Sequence, residues 1–290
     1  MSIKRTSLLI LISILFSCTN SDDSDTVVQV SNFLKVSDIY LINSFELVMN
    51  QGISYDINQL DDDTYVQNLI TTITQLSDYD FDEVCHIEYD SNGLVSNYKI
   101  GTNQIASWRY DFGGTIQRDD NGNIISINDN PITVTGNSII FDESNGWASS
   151  TGSVHEVNFS GNKLTKTFYR DNSGAEVAES SYTYQYSGND FIRKQKTSNG
   201  FTFYEVSDYH NEDFYLPWIM HHSQERLALE IAFNLRLMGK IPKTMINSQH
   251  ANQDVEITKI IKDASNRPIF ILGRNAESGI DRIAIYTYAD

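Results

Sequence analysis

Cysteine is scarce in this chain, and the familiar catalytic motifs are missing from it. Only two residues are cysteine, Cys18 and Cys85, so the fold has no disulfide framework. Cys85 lies in an alternating run next to His86 and is expected to be a small core residue. The sequence contains no Gly-x-Ser-x-Gly elbow, Walker loop, dinucleotide-binding glycine motif or His-Glu-x-x-His pattern. It therefore assigns no catalytic residue, and it predicts no metal and no cofactor.

Positive charge and proline are also in short supply. Lys and Arg total 21 against 38 Asp and Glu, which gives a formal net charge of −17. A chain this acidic repels nucleic-acid phosphates, so we expect no nucleic-acid partner. Only four prolines stand beside sixteen tyrosines and fourteen phenylalanines. These aromatic residues favour the half-buried surfaces of β-sheets.

An apolar stretch at residues 8–16 is too short to cross a bilayer as a helix, which needs about 20 residues. Two cations precede it and a cysteine ends it, which is the layout of a secretory leader. The ending Leu15-Phe16-Ser17-Cys18 resembles the lipobox of bacterial lipoproteins. That resemblance implies cleavage before Cys18 and a lipid on its thiol, with the membrane as partner of the lipid. An ordinary secretory leader or a short N-terminal anchor is the alternative.

A short acidic run follows the cysteine and consists of Ser21, Asp22, Asp23, Ser24 and Asp25. It resembles the export signals that follow the lipidated cysteine in Bacteroidota lipoproteins. The resemblance implies an outer-membrane lipoprotein exposed at the cell surface. The alternatives are a plain polar linker, because such a composition cannot bury enough apolar surface to fold, and an anchor that faces the periplasm. We therefore expect a signal peptide at residues 1–17 and an acidic tether at 18–25.

Residues 26–83 are expected to form an N-terminal segment with one short helix. Residues 26–60 show no clean period and receive no assignment. After the three aspartates at 61–63, which suit a helix N-cap, apolar residues recur at helical spacing. These residues are Val66, Leu69, Ile70, Ile73 and Leu76.

From residue 84 to about 209, alternating strands and Asn-Gly turns repeat. Each unit has an aromatic or apolar residue, an Asp or Ser, a turn of Asn and Gly, and the start of the next strand. Asn-Gly suits type I′ turns, in which both central residues have positive φ. The turns at Gly93 and Gly122 do not place an acid at the bidentate position of a calcium-binding EF-hand loop. The pattern predicts an antiparallel meander of hairpins in one twisted sheet.

Two of these units carry a family resemblance. Tyr89-Asp90-Ser91-Asn92-Gly93-Leu94 and Tyr110-Asp111-Phe112-Gly113-Gly114-Thr115-Ile116 resemble the Tyr-Asp (YD, Rhs-type) hairpin repeat. With the leader, the chain resembles Bacteroidota lipoproteins in which a lipobox precedes such hairpins. The resemblance covers the leader and residues 84–290, and it implies a β-rich fold but almost nothing about activity. The irregular spacing of the units argues against a long Rhs-like shell.

One stretch interrupts the hairpins. Residues 217–238 begin with a proline, are rich in Leu, Ala, Glu and Arg, and are followed by Gly239, which predicts a helix. Alternating apolar residues from Leu227 to Leu237 favour a strand instead. The helix would be apolar nearly all round and therefore buried against the sheet. The expected fold class is mainly β (α+β), with residues 84–290 forming a β-meander domain that includes this helix.

Aromatic residues on the sheet are the one indication of a binding site. Tyr182, Tyr184 and Tyr186 share a face by alternation and, with Trp108, would form a stacking platform for a glycan. The favoured alternative is that this face packs under the helix as core, because a single meander needs one covered face. The sequence thus indicates a non-enzymatic, membrane-anchored protein that binds an envelope protein or a glycan. A carbohydrate-active hydrolase with carboxylates at the sheet rim is the alternative.

Overall fold

A computed structural model describes most of the chain beyond residue 34. The described residues are 35–42, 56–60, 62–76, 81, 83–104, 107–141, 154–213, 224–235, 239–247, 254–275 and 281–289. The expected signal peptide, Cys18 and the acidic run 21–25 lie outside them. The side chains of residues 102–112, Trp108 among them, are also outside the description.

The described residues form eighteen strands and two α-helices. The helices are α1 (Asp63–Ile73) and α2 (Gln224–Phe233). The strands are β1 (Val36–Ile42), β2 (Glu83–Tyr89), β3 (Val95–Gln104), β4 (Ser107–Arg118), β5 (Ile124–Ile127), β6 (Asn130–Thr135), β7 (Ser138–Phe141), β8 (Val154–Ser160), β9 (Lys163–Arg170), β10 (Tyr182–Ser187), β11 (Asp190–Lys196), β12 (Thr202–Val206), β13 (Tyr209–Asp213), β14 (Lys240–Pro242), β15 (Thr244–Asn247), β16 (Val255–Lys262), β17 (Pro268–Asn275) and β18 (Asp281–Tyr288).

Sixteen strands close into one antiparallel barrel. Neighbours in sequence pair with each other, except that β12 pairs with β15 while β13 and β14 form a separate two-stranded sheet. β1 pairs with β18 on one side and with β2 on the other, so it joins the two edges of the sheet. The expectation of a mainly β fold built from antiparallel hairpins is confirmed. The meander, however, is closed into a barrel, because β1 lies between its first and last strands.

The interior of the barrel, which we call the lumen, holds the main apolar core. One contiguous cluster of buried side chains includes residues from all sixteen barrel strands, and only the lumen touches every strand. The segment of α2 from Leu229 to Leu235 belongs to the same cluster, and α2 contacts β3 and β4. The ring of Phe233 meets Phe141 of β7 edge to face, with centroids 6.2 Å apart. α2 therefore fills part of the lumen.

α2 lies within the stretch for which the sequence predicts a buried helix, but it ends at Phe233 rather than at Met238. Asn234 follows with a left-handed φ of 52°. This conformation is tolerated by asparagine and ends the helix. The predicted end was wrong because it relied on Gly239, which has a different role. A Cβ at Gly239 would lie 2.3 Å from the carbonyl oxygen of Asn189, so glycine there permits a close approach of two backbones.

α1 lies on the outside of the barrel, in the stretch for which the sequence predicts a helix. Its buried residues Val66, Leu69 and Ile73 pack on the outward faces of β1, β2, β16, β17 and β18. Asp62 is the N-cap, and its Oδ1 accepts hydrogen bonds from the backbone N–H of Thr64 at 2.8 Å and of Tyr65 at 3.3 Å. The cap satisfies two of the N–H groups that a helix start leaves without a partner.

Removal of this cap should have a modest, measurable effect. We expect Asp62→Ala to lower the free energy of unfolding by about 1 kcal/mol. Asp62→Asn retains a side-chain oxygen acceptor and should stay within about 0.5 kcal/mol of wild type. Urea titrations of the three proteins provide the comparison. If Asp62→Ala loses no more stability than Asp62→Asn, the side-chain oxygen of the cap does not stabilise the helix.

Four hairpin turns share one hydrogen-bonding pattern, and each begins with an aspartate. In each turn the aspartate Oδ1 accepts from the backbone N–H groups two and four residues later, at 2.8–3.0 Å. The residue three positions later has a positive φ, between 63° and 84°. The aspartates are Asp90, Asp119, Asp171 and Asp263. The aspartate of the repeated unit therefore stabilises its own turn, because its carboxylate binds two backbone N–H groups within that turn.

This pattern corrects the prediction of type I′ turns at Asn92-Gly93 and Asn121-Gly122. In both pairs only the glycine has a positive φ, because the preceding carboxylate binds the N–H of the asparagine and holds it in another conformation. Both central residues have positive φ at Asn128 and Asp129, between β5 and β6.

The second Tyr-Asp unit is not a turn. Residues 110–116 lie inside the continuous strand β4, so the hairpin expected at Gly113-Gly114 is wrong. Gly113 and Gly114 have φ values of 125° and 148°. A Cβ at Gly113 would stand 2.1 Å from the carbonyl oxygen of Tyr98, and one at Gly114 would stand 2.3 Å from Cβ of Asn128. The two glycines permit close contact rather than a reversal of the chain.

The seam where β1 closes the barrel centres on Asp38. Its Oδ1 lies 2.8 Å from Nδ1 of His86 on β2, and its Oδ2 accepts from the hydroxyls of Thr287 on β18 at 2.5 Å and of Ser37 at 2.9 Å. Burial is the largest influence on the pKa of Asp38 and would raise it. These hydrogen bonds and the charge of His86 outweigh burial and lower the pKa. One carboxylate therefore connects three consecutive strands.

Loss of this carboxylate should weaken the seam in a pH-dependent way. We expect Asp38→Asn to cost about 1–2 kcal/mol at neutral pH, since hydrogen bonds to a charged group are lost. Because the pKa of Asp38 is lower in the folded state, the carboxylate stabilises the fold at pH values above the unfolded-state pKa of about 3.9. This stabilisation is lost as the pH falls through the folded-state pKa. The difference in the free energy of unfolding between wild type and variant, measured in urea, should therefore reach its full value near pH 6 and decrease below about pH 4. A difference that does not change with pH would contradict this role for Asp38.

Candidate binding site

The two ends of the barrel differ, and the difference orients the molecule. Tight turns at residues 90–94, 119–123, 161–162, 188–189 and 263–267 lie at one end, which we call the turn end. The opposite end, which we call the loop end, has the longer connections, such as 43–82 and 142–153. The chain enters at the turn end, where Val36 pairs with Tyr288 and the carbonyl oxygen of Lys35 accepts from the N–H of Ala289.

A cluster of aromatic rings surrounds Lys194 near the loop end. Nζ of Lys194 lies 4.2 Å from the ring centre of Tyr182, 5.5 Å from that of Phe203 and 6.0 Å from that of Tyr184. Tyr182 and Phe203 meet edge to face at 5.2 Å, and Phe201 meets Phe203 in the same way at 5.3 Å. We call Tyr182, Tyr184, Phe201 and Phe203 around Lys194 the aromatic cluster.

The aromatic cluster faces the lumen. Tyr184 belongs to the buried lumen core and stands directly opposite Lys194 in the β10–β11 register, so both side chains lie on that face. Tyr182 and Phe203 are half-buried and pack against the same core. The hydroxyl of Tyr184 lies 3.2 Å from Oγ1 of Thr167 on β9. Cation–π contacts and packing thus hold the rings in fixed orientations.

A second aromatic group continues the wall toward β7. The ring of His155 on β8 stacks between Phe141 and Tyr169, at centroid distances of 5.8 Å and 4.7 Å and interplanar angles of 29° and 13°. His155 is only 6% exposed, and Phe141 also belongs to the lumen core. All three residues lie in the halves of their strands that approach the loop end. Aromatic rings therefore line the loop end of the lumen on β7 to β12.

Tyr182, Tyr184 and Tyr186 share the lumen face, as alternation predicts, because all three pack in or against the lumen core. Only Tyr182 and Tyr184 belong to the aromatic cluster; Tyr186 stands opposite Phe191, beyond a bulge at Ile192 of β11. The hydroxyl of Tyr186 donates to the carbonyl oxygen of Leu164 at 2.8 Å, and its ring packs on Phe191 nearer the turn end. For Trp108 only the backbone, in β4, is described.

Sequence reasoning missed Lys194, Phe201 and Phe203. These residues belong to β11, β12 and the turn between them, and they meet Tyr182 only through strand pairing. The spacing of Phe201 and Phe203 by two residues was a usable signal for a shared face. Nothing in the sequence of β11 indicates that Lys194 lies among these rings, because strand pairing brings it there.

The described titratable groups show the following departures from their ordinary behaviour. Cys85 is fully buried, and burial raises its pKa well above the ordinary value, which makes the thiol unreactive. Where a carboxyl group of the described residues has a clearly shifted pKa, the shift is downward. No group of three His, Cys, Asp or Glu residues in the described ranges is placed to hold a metal ion.

The outer wall of β7 to β12 is polar and charged. Nε of Arg170 donates to Oε2 of Glu156 at 2.6 Å, and the hydroxyl of Ser138 donates to the other oxygen of Glu156 at 2.6 Å. Glu156 alternates with the lumen residue Val157, so this network lies on the outside. Farther along the wall, Nε of Arg193 donates to Oε1 of Gln185 at 2.7 Å.

Comparisons with known proteins find only distant structural likeness. No protein-family model matches the chain, and a search of curated proteins finds no relative. Among solved structures, a porin-like protein from Bacteroides vulgatus ATCC 8482 is similar at 12% sequence identity with a TM-score of 0.31, over 66% of this chain and 97% of that one. None of the helices within the described ranges is both long and apolar enough to cross a membrane.

Proposed function

We propose that this protein is a non-enzymatic envelope lipoprotein that binds a glycan at the loop end of its barrel. The observation that carries the proposal is the aromatic cluster around Lys194. Large rings in fixed orientations present apolar surface to the C–H faces of a sugar at low entropic cost. The ammonium of Lys194 can donate hydrogen bonds to sugar hydroxyls beside those rings.

The charges of the outer wall favour a barrel that is anchored to a membrane over one embedded in it. In a membrane-spanning barrel the outward face is apolar, and each Arg or Lys there costs about 2–4 kcal/mol at the bilayer midplane. Here the outward face of β8 to β12 carries Glu156, Lys166, Arg170, Arg193 and Glu205. The lumen, by contrast, holds the contiguous apolar core. A lipid on Cys18 would then be the membrane attachment, at the outer membrane and exposed at the cell surface.

The strand order leaves the aromatic cluster clear of the tether. Lys35, where the tether meets the barrel, is at the turn end, and the aromatic cluster is at the opposite end. Seventeen residue steps separate Cys18 from Lys35, which allow a reach of at most about 60 Å. A tether of that length would hold the barrel at the membrane and leave the loop end open to a ligand.

A glycan array with the purified protein tests the binding site. We expect binding to at least one oligosaccharide class and its loss on Tyr182→Ala or Phe203→Ala. Tyr186→Ala is the matched control, because it removes the same ring from the same strand outside the cluster. Unfolding curves establish that each variant is folded. Absence of any bound glycan, or equal binding by wild type and Tyr182→Ala, would overturn the proposal.

The same protein should be screened for hydrolysis of the array ligands. Two acids are buried on the lumen side: Glu83 of β2 is 8% exposed and Glu230 of α2 is 5% exposed. Turnover that disappears in Glu83→Gln or Glu230→Gln would replace the binding role with the hydrolase alternative. Binding without turnover supports the binding role.

Metabolic labelling with a fatty acid tests the anchor separately. Wild type should incorporate the label and Cys18→Ala should not. Replacement of Asp22, Asp23 and Asp25 by alanine should retain the label but reduce cleavage by protease added to whole cells. Equal labelling of wild type and Cys18→Ala would exclude the lipid anchor, and protection of wild type from protease would place the barrel on the periplasmic side.

A further inference from the structure

The guanidinium of Arg118 is buried on the lumen side and has no partner among the described residues. Its Nε, Nη1 and Nη2 atoms are inaccessible to solvent, and none has a hydrogen-bond partner within the described ranges. Arg118 is the last residue of β4, two positions after the lumen residue Ile116 and opposite the lumen residue Ile124. Its side chain therefore faces the lumen at the turn end, away from the aromatic cluster.

Among the described residues, the acid with an electrostatic influence on Arg118 forms no ion pair with it. Asp90, in the turn between β2 and β3, exerts an electrostatic influence on the guanidinium. The Oδ1 of Asp90 instead accepts from the backbone N–H groups of Asn92 and Leu94. Burial lowers the pKa of Arg118, which reflects the cost of holding the charge away from water. A buried charge without a hydrogen-bonded partner is among the most costly arrangements in a protein interior.

One further buried polar atom without a partner shares the lumen face with Arg118. The hydroxyl of Tyr98 on β3 has no hydrogen-bond partner within the described ranges, and Tyr98 is fully buried in the lumen core. Tyr98 stands opposite Gly114 of β4, four residues before Arg118. The hydroxyl of Ser126 also has no partner there, but Ser126 stands opposite Gln117 and faces outward. A buried polar group without a partner is often completed by a ligand or an ion.

We infer that Arg118 anchors a second site in the lumen, near the turn end, for a small molecule that carries a carboxylate. The planar guanidinium presents paired N–H donors whose spacing matches the two oxygens of a carboxylate. This site lies at the other end of the lumen from the aromatic cluster and does not depend on glycan binding there.

Thermal unfolding of the full-length lipidated protein in detergent tests this inference. The probes are acetate, succinate and glucuronate, with glucose as the uncharged counterpart of glucuronate. We expect at least one carboxylate, at about 100 times its Kd, to raise Tm by about 5 °C or more. Arg118→Met should abolish this shift. Arg193→Met makes the same change on the outer wall and should retain it. A glucose shift as large as that of glucuronate and lost in Arg118→Met would show that the site does not recognise the carboxylate, and it would overturn the inference.

The ligand-free proteins distinguish a ligand site from an internal ion pair. If the guanidinium awaits a ligand, Arg118→Met should leave Tm unchanged or raise it by a few degrees, because a costly buried charge is removed. A drop of several degrees would mean that an acid of the chain itself pairs with Arg118, and it would overturn the inference. Failure of all three carboxylates to produce a shift that depends on Arg118 would also overturn it.

Discussion

Replacement of Gly113 by alanine is expected to lower the free energy of unfolding by about 4 kcal/mol, the sum of backbone strain and overpacking. The φ of 125° is a conformation that residues with a Cβ rarely adopt. The new Cβ would also stand 2.1 Å from the carbonyl oxygen of Tyr98 and 2.8 Å from Cα of Lys99. Both atoms belong to the backbone of β3, which pairs with β4 along its length. The strands cannot separate there without the loss of ladder hydrogen bonds.

Gly122→Ala is the matched control for this prediction. Gly122 also has a positive φ, of 84°, but a Cβ there would meet no atom within 4 Å. Only the strain of the backbone remains, and we expect a loss of about 1 kcal/mol. Urea titration of both variants separates strain from close approach. Equal losses would show that β3 and β4 can move apart at Gly113, contrary to the structure.

Phe233→Ala should be nearly as damaging, at about 3–5 kcal/mol. The side chain is 3% exposed, belongs to the lumen core and packs edge to face on Phe141. Its removal leaves a cavity between α2 and the barrel wall. A hydrogen-bonded wall cannot collapse far into such a cavity, so the cost should lie in the upper part of the range.

Ile125→Ala removes an apolar side chain of the barrel wall that is 46% exposed. We expect a change within about 0.5 kcal/mol for this variant. Denaturant curves with unchanged slopes would show that the two values are comparable. A loss below about 1 kcal/mol for Phe233→Ala would mean that α2 is not part of the lumen core.

The hairpins were predictable because their causes are local. An aspartate that binds the N–H groups two and four residues later acts within five residues, as at Asp90 and Asp119. A glycine or asparagine that takes the positive φ belongs to the same five residues. The same local reasoning failed at Gly113 and Gly114, because a glycine pair that permits a close approach is indistinguishable in sequence from one that makes a turn.

Closure of the barrel was not predictable, because it depends on pairing between distant residues. Ile42 pairs with Ile283, and Asp38 bonds to both His86 and Thr287. Nothing in the residues around β1 indicates which strands it will join. The seam also falls in a segment without clean periodicity, where the sequence supported no assignment.

In the candidate site, too, the locally determined features were predictable and the features that depend on strand pairing were not. Alternation along β10 predicted that Tyr182, Tyr184 and Tyr186 share one face, and all three pack in or against the lumen core. The approach of Lys194 and Phe203 to the first two tyrosines comes from the pairing of β10, β11 and β12. A residue that reaches a site from a neighbouring strand leaves no trace in the pattern of the first strand.

Exposure of the outer wall to water is tested most directly by spin labels at Arg193→Cys and Glu205→Cys, two residues paired on β11 and β12. Because Cys85 is buried and Cys18 would carry the lipid, the introduced thiol is the expected site of labelling. Collision rates with a water-soluble nickel complex and with oxygen are then compared for the lipidated protein in membranes. Labels on an anchored barrel will be reached readily by the nickel complex at both positions. Labels shielded from nickel but open to oxygen would place the wall in lipid and contradict the proposed anchoring.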